Sequence, residues 1–383
     1  MSRKYISSLA LFLLATLLCS GKPLRVAFVG DPQVDNAREL TFARKSVLKE
    51  LSQRKDIDLG IFLGDIVNDA PELMVEMKQS LDSLPFTYFC IKGNHDDGET
   101  FDSVFGYRDT SFARSGVNFI LLDNSSGKLT DSQIQILKEI KEKKSGRTVV
   151  CTHIPLKSCR DSSYYTISGQ TKILLVSAHL HRVFRTRYPD GVEEIGAGAS
   201  CGSWWRGPMQ GGIPYALMNC GAPRGYFIAD FNRKGKYSLK YKCVGRSEGE
   251  QFSIYSSTLK SISHGIPKDS TFLTVNVFGG SSDGILEVKG IKGWRPLSLK
   301  GETALEVLEV IDFNRRATRE ERKKNKRDFI PLRNMKSPHV WSGLMDGDLT
   351  GKTIRVRYRD SCMSFTSSAV PKDGTSFLQK RER

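Results

Sequence analysis

The sequence predicts a layered α/β fold, β-sheets flanked by helices, followed by a smaller β-rich C-terminal domain. Short, nearly continuous apolar runs end in Gly-Asp or Gly-Asn, amphipathic helical segments separate them, and beyond about residue 245 short alternating segments take over. At 383 residues, with 39% hydrophobic and 26% charged residues, the chain has room for two domains, and its composition excludes disorder of the whole.

Residues 1–21 read as a signal peptide. Arg3 and Lys4 precede an apolar run from Leu9 to Leu18, and Cys19, Ser20 and Gly21 are small. The run is shorter than the roughly 20 residues that span a bilayer. Cleavage after Ser20 or Gly21 would release a soluble protein, whereas lipid attachment at Cys19, with Leu18 a poor residue before it, would tether it. The expectation is export to the periplasm, cell surface or medium, with membrane contact only through Cys19.

The first domain is expected over 22–245. Leu24 to Val29 is a strand buried on both faces, ending in Gly30-Asp31, and a helix follows from Ala37 to Leu51. Ile57 to Leu63 repeats the unit and ends in Gly64-Asp65; a helix from Pro71 to Leu84 leads to a strand from Phe86 to Ile91, which ends in Gly93-Asn94-His95-Asp96. Val117 to Leu122, Thr148 to Cys151 and Ile173 to Val176 are further strands, with a helix from Asp131 to Lys143. The second domain, 250–383, is read from Phe272 to Phe278, Ile285 to Val288 and Thr353 to Tyr358 as β-rich.

The formal net charge of +16 favours anionic partners. Much of the excess lies from Arg315 to Arg327, where eight Lys or Arg face Glu320 and Glu321. Without aromatic interleaving this run reads as a solvated face, so a specific nucleic-acid partner is not expected. The eight cysteines form no CxxC pair, which leaves a zinc ribbon without support. Export permits disulfides, and Cys151 and Cys159 are either a bridge or two buried thiols.

In open α/β sheets ligands bind beyond the carboxyl ends of strands, and each polar cluster sits at such an end. In order they are Asp31-Pro-Gln33, Gly64-Asp65, Gly93-Asn94-His95-Asp96, Cys151-Thr-His153 and His179-Leu-His181, holding four of the chain's six histidines. One strand-end Asp is usually a helix cap and one histidine usually structural; five clusters in register are not accounted for that way.

These blocks resemble the calcineurin-like metallophosphoesterase superfamily, with its ordered DxH, GDxx(N/D), GNH(D/E), H and (G/A)HxH motifs. The stretches Cys201 to Gly207 and Gly212 to Gly225, with His339-Val-Trp341, look like a bacterial branch with an additional C-terminal domain. The resemblance implies a layered metallophosphoesterase fold and two divalent metal ions, Mn, Fe, Zn or Mg. Asp31, Gln33 and His181 would hold one, Asn94, His153 and His179 the other, and Asp65 would bridge them. A metal-bridging hydroxide would then attack a phosphate mono- or diester, with Asp65 and His95 as catalytic residues. His95 would stand by the leaving group, its ring oriented by Asn68 or Asp96.

The first block departs from the family pattern by carrying Gln33 where most members have histidine. Gln33 is therefore either a weak, neutral oxygen ligand or a residue supporting the ligands. Trp204, Trp205, Arg206, Tyr215 and Arg224 are the candidate substrate contacts, with either arginine able to fork onto a phosphate and the Trp pair equally suited to a core; Tyr226 is ambiguous in the same way. Cys151 reads as a strand residue, not a nucleophile. The alternative function is a catalytically weak cell-surface protein that binds glycan or phosphate, which loss of Asp65 or His95 would have signalled.

Overall fold

The computed structural model describes residues 22–142, 146–161, 163–200, 207–258, 269–316 and 332–376. The signal peptide with Cys19, Trp204, Trp205 and Arg206, and the basic run beyond Arg316 lie outside the described residues. Along the chain come β1 (Leu24–Val29), α1 (Ala37–Lys45), α2 (Val47–Ser52), β2 (Leu59–Phe62), α3 (Met74–Asp82), β3 (Thr87–Cys90), α4 (Gly98–Phe105), β4 (Thr110–Arg114) and β5 (Val117–Leu122). There follow α5 (Asp131–Glu142), β6 (Arg147–Thr152), α6 (Ser163–Thr166), β7 (Ile173–Ser177), β8 (Val183–Arg187), β9 (Glu193–Ala197), β10 (Met209–Gln210), β11 (Ile213–Pro214), β12 (Gly225–Phe231) and β13 (Tyr237–Cys243).

Two sheets pack face to face. One has the order β13-β12-β1-β2-β3, with β1, β2 and β3 parallel and Phe227 of β12 opposite Phe28. The other runs β4-β5-β6-β7-β9-β8, parallel from β5 through β9. Alternate residues of β1 face opposite ways: Val26 and Phe28 join Phe119, Val149 and Val176 between the sheets, while Ala27 and Val29 meet Leu40, Leu51 and Met77 of the outer helices. On the far side Leu137 and Ile140 of α5 cover Val150 and Leu175. Burial on both faces is why the strand runs read as continuously apolar.

The expected helix over 37–51 is two helices. Asn36 caps α1 by accepting from the Arg38 and Glu39 amides, a bond worth about 1 kcal/mol, but Ser46 at φ −119°, ψ −98° breaks the run. Beyond Cys243 the chain forms β14 (Phe252–Thr258), β15 (Ser270–Val277), β16 (Ile285–Gly290), β17 (Gly293–Pro296), β18 (Ser298–Leu299), α7 (Leu305–Arg316), β19 (Val340–Asp346), β20 (Ile354–Arg359), β21 (Ser364–Ala369) and β22 (Lys372–Asp373). These strands make sheets of order β18-β19-β15-β14-β22 and β17-β16-β20-β21, so the region is β-rich with one helix that its sequence did not announce.

Val275, Val288 and Trp341 belong to the same apolar core as Phe227, Leu239 and Tyr241. The buried Arg185–Asp360 ion pair, 2.7 Å, also ties the two parts together. The described cysteines are all thiols, so Cys151 and Cys159 are not bridged. Cys151 lies within β6, while Cys159 accepts from Asn124 Nδ2 at 3.4 Å.

Candidate metal centre

The predicted clusters converge beyond the carboxyl ends of β1, β2, β3, β6 and β7. Asp31, Gln33, Asp65, His179 and His181 all adopt left-handed backbone, with φ between 40° and 63°. Such conformations cost non-glycine residues of order 1 kcal/mol or more each and persist only where the surroundings enforce them. Enforcement here includes glycine at two neighbouring positions. A Cβ at Gly64 would lie 2.6 Å from His153 Nδ1, and one at Gly93 would lie 2.1 Å from Asp65 Oδ1. The strand ends approach so closely that no larger residue fits.

His153 shows what the site is built to hold. Its Nδ1 lies 2.7 Å from the Leu63 carbonyl, the partner to which it donates, so the Nε2 of the neutral ring carries a lone pair. That Nε2 faces Asn94 Oδ1 at 3.0 Å, His179 Nδ1 at 3.2 Å and Asp65 Oδ2 at 3.3 Å. Three acceptors, His153 Nε2, Asn94 Oδ1 and Asp65 Oδ2, converge beside His179 Nδ1, an arrangement that a cation relieves. Asp31, Asp65 and His181 form a second group whose ligand atoms lie within 4.8 Å of one another, and Asp65 is common to both groups.

Gln33 adds a donor. Its Nε2 donates to Asn68 Oδ1 at 3.1 Å and to Asp65 Oδ2 at 3.4 Å, while its buried Oε1 has no hydrogen-bond partner. An orphaned buried carbonyl is costly, and coordination to a cation satisfies it. The mixture of carboxylate, amide oxygen and imidazole suits divalent metals of the Mn, Fe and Zn kind.

The charges agree. Burial drives the Asp31 carboxyl well above its usual range, and Asp65 nearby raises it further. Burial also opposes ionisation of Asp65, but His153 holds its carboxyl below the ordinary value. Against the effect of burial, Asp65 and Asp31 push the His153 imidazole up to about 9, so a proton substitutes where a cation does not.

Asp31, Gln33, Asp65 and His153 are buried, whereas Asn94 is exposed and His95 and His179 half-buried, so the cluster opens on one side. His95 stands at that opening, its amide donating to Asp65 Oδ1 at 2.9 Å. Its ring is held by neither residue expected to do so. Asp69 Oδ2 takes Nδ1 at 3.0 Å; Asn68 is engaged by Gln33, and buried Asp96 accepts instead from the amides of Val67 and Gly93. Burial raises the Asp96 carboxyl to about 6.

Sequence reasoning also passed over Asn124, which grips both the amide and carbonyl of Ile154 and so fixes the loop carrying His153. Asn124 follows β5, a strand end like those that signalled the site. Of the expected substrate contacts, Tyr215 and Arg224 line a cavity that none of the cluster residues borders. Tyr226 is a fully buried core residue, its hydroxyl donating to Glu50 at 2.9 Å.

A dimetal phosphatase from Danio rerio is 11% identical over 57% of this chain and 96% of its own, at a TM-score of 0.43. A 5'-nucleotidase from Candida albicans is 10% identical over 58% of this chain and 51% of its own, at 0.35. No curated protein matches. The family model for calcineurin-like phosphoesterase matches residues 24–185, and that for the C terminal of calcineurin-like phosphoesterase matches residues 194–363. With the ordered motifs in one cluster and both matches in sequence along it, the chain belongs to the calcineurin-like phosphoesterases, hydrolases that employ two divalent metal ions.

Proposed function

We propose that this phosphoesterase is exported and hydrolyses small phosphate mono- or diesters. The observation that carries the reading is Asp65, whose carboxylate belongs to both groups of converging ligand atoms while its Oδ1 receives the His95 amide. Asp31, Gln33 and His181 would hold one cation and Asn94, His153 and His179 the other, Asp65 serving both. Two such cations polarise the phosphoryl oxygens and acidify water for in-line attack.

The chain's own residues supply orientation and the proton. Asp69 holds His95 Nδ1 and so orients the ring, leaving Nε2 as the atom that would pass a proton to the departing oxygen. Left-handed backbone at the strand ends keeps the ligands in place before substrate arrives. Asp65 and His95, whose loss would favour a mere binding protein, are both present.

The basic, apolar and small segments of residues 1–21 support export. Among the described residues no helix is long and apolar enough to cross a membrane. Two measurements test the reading. After chelation and reconstitution with Mn, Fe, Zn or Mg, 4-nitrophenyl phosphate or its bis-ester should be hydrolysed; no turnover with any metal sinks the catalytic half. Mass spectrometry of the protein in its native host should find an N-terminus at Gly21 or Lys22, or a lipid on Cys19. An intact Met1 in the cytoplasm sinks the other half.

A further inference from the structure

A cavity of about 370 Å³ lies between the α1–α2 corner, the segment leading into β12 and the loop that follows β13. We propose that it is a second anion site, taking an organic phosphate of roughly nucleotide size, independently of hydrolysis at the metal centre.

Its charge is one-sided. Lys45, Lys49, Arg224 and Arg246 line it against Glu50 alone. Glu50 is already committed, accepting from Lys242 Nζ at 2.8 Å, the Gly245 amide at 2.9 Å and the Tyr226 hydroxyl at 2.9 Å. Its charge is therefore spent within the wall, and the cavity presents net positive charge.

Arg224 is only 8% exposed and set in the wall, its amide bonded to the Ala216 carbonyl at 3.1 Å and its own carbonyl accepting from Val244 at 3.0 Å. Arg246 donates to the Tyr215 hydroxyl at 3.3 Å and lies over that ring, 5.9 Å from its centroid. The Arg246 guanidinium, held against Tyr215, matches phosphate oxygens in pairs, the backbone-anchored Arg224 adds charge to the wall, and the two exposed lysines add point charge at the rim. Ile213, Pro214, Ala216, Pro223 and Val244 give the wall an apolar part, which suits the organic part of the ligand.

The hairpin of β10 and β11 forms one side, contributing Gln210, Ile213 and Pro214. Gly211 and Gly212 at its tip have φ of 58° and 76°, the two left-handed positions of a tight hairpin turn. The site therefore has a short, well-defined wall on the side facing α1.

Isothermal titration of phenyl phosphate and of inorganic phosphate into the full chain with EDTA tests this, because chelation silences the metal centre. One-site binding is expected, tighter for phenyl phosphate, weakened about tenfold by Lys49→Gln or Arg246→Gln and unchanged by Asp65→Asn. Lys49 is exposed, so its substitution does not threaten folding, and metal-loaded Lys49→Gln should hydrolyse aryl phosphates normally. No binding, loss in Asp65→Asn but not in Lys49→Gln, or equal weakening by the distant Lys289→Gln would each overturn the proposal. The last result would mark a general field effect.

Discussion

Two polar clusters built around histidine stand apart among the described residues, and they are constructed differently. At the strand ends of the first domain, His153, Asn94 and Asp65 turn acceptors toward one another beside His179. In the C-terminal region His339 Nδ1 meets Asn276 Oδ1 at 2.6 Å, while Asn276 Nδ2 donates to the Gly221 carbonyl at 3.0 Å and to Glu306 Oε1 at 3.3 Å. There donors and acceptors alternate from His339 through Asn276 to Gly221 and Glu306, although His339 Nε2 and Glu306 Oε2 are buried without a partner. Residue type is alike in the two clusters; the site gathers acceptors and opens to solvent at Asn94, whereas the brace is buried throughout and threaded on donor–acceptor pairs.

The largest effect expected is at Asp65. Asp65→Asn keeps the shape of the side chain but removes the charge shared by both ligand groups, so metal-dependent turnover should fall by about 10³-fold or more, with the thermal midpoint nearly unchanged. Melting curves and aryl phosphate kinetics on one preparation check it. Retained activity would mean that the convergence of acceptors has no catalytic use.

His95 comes next because it stands at the mouth and does not ligate. His95→Ala should lower kcat about 10²-fold while bound metal, measured by plasma mass spectrometry, stays at the wild-type level. Loss of metal in step with activity would place His95 among the ligands and blur the contrast between the buried bed of the site and its rim.

What was legible in sequence follows from the same contrast. Asp31, Asp65, Asn94, His153 and His179 announced themselves because strands buried on both faces leave polar residues only at their ends, where a side chain escapes the sheet. Asp69 did not, since the ring it holds is chosen by a left-handed turn at φ 54° that spacing does not reveal. The C-terminal helix α7 was invisible for another reason. Glu306 is buried along with Leu305, Val307, Leu308 and Val310, so a charged residue sits on the apolar side and blurs the 3.6-residue period. The hairpin of β4 and β5 carried a weak signal in Ser115-Gly116, both left-handed, that the reading passed over.

In the brace, protonation takes the place of a cation. Burial lifts the Glu306 carboxyl from 4.5 to about 7 and drops the His339 imidazole from 6.5 to about 3. Between pH 4.5 and about 7 the folded chain keeps a proton on Glu306 that the unfolded chain has released, so this residue's contribution falls as pH rises through that window. Its full loss above the window is up to about 3 kcal/mol. His339 acts oppositely, because the unfolded chain protonates first as pH falls from 6.5 toward 3. Glu306→Gln removes only the first dependence, so its stability relative to wild type should rise from about pH 5 to about pH 8 in urea titrations. Parallel pH profiles would show that Glu306 is not neutral in the folded chain.

The smallest effect belongs to Gln33, the residue in which the two principles meet. Its amide nitrogen closes hydrogen bonds to Asn68 and Asp65, as in the brace, while its carbonyl oxygen is buried without a partner, as in the site. If that oxygen serves a cation, Gln33→Leu should weaken the more loosely held metal about tenfold and leave the other in place. Gln33→Glu, which supplies charge at the same reach, should restore or exceed wild-type affinity. Equilibrium dialysis against buffered Mn, with metal per chain counted afterwards, separates the cases. Two tightly held metals in Gln33→Leu would assign Gln33 to hydrogen bonding alone, and leave Asp31, Asp65 and His181 as the whole of the first ligand group.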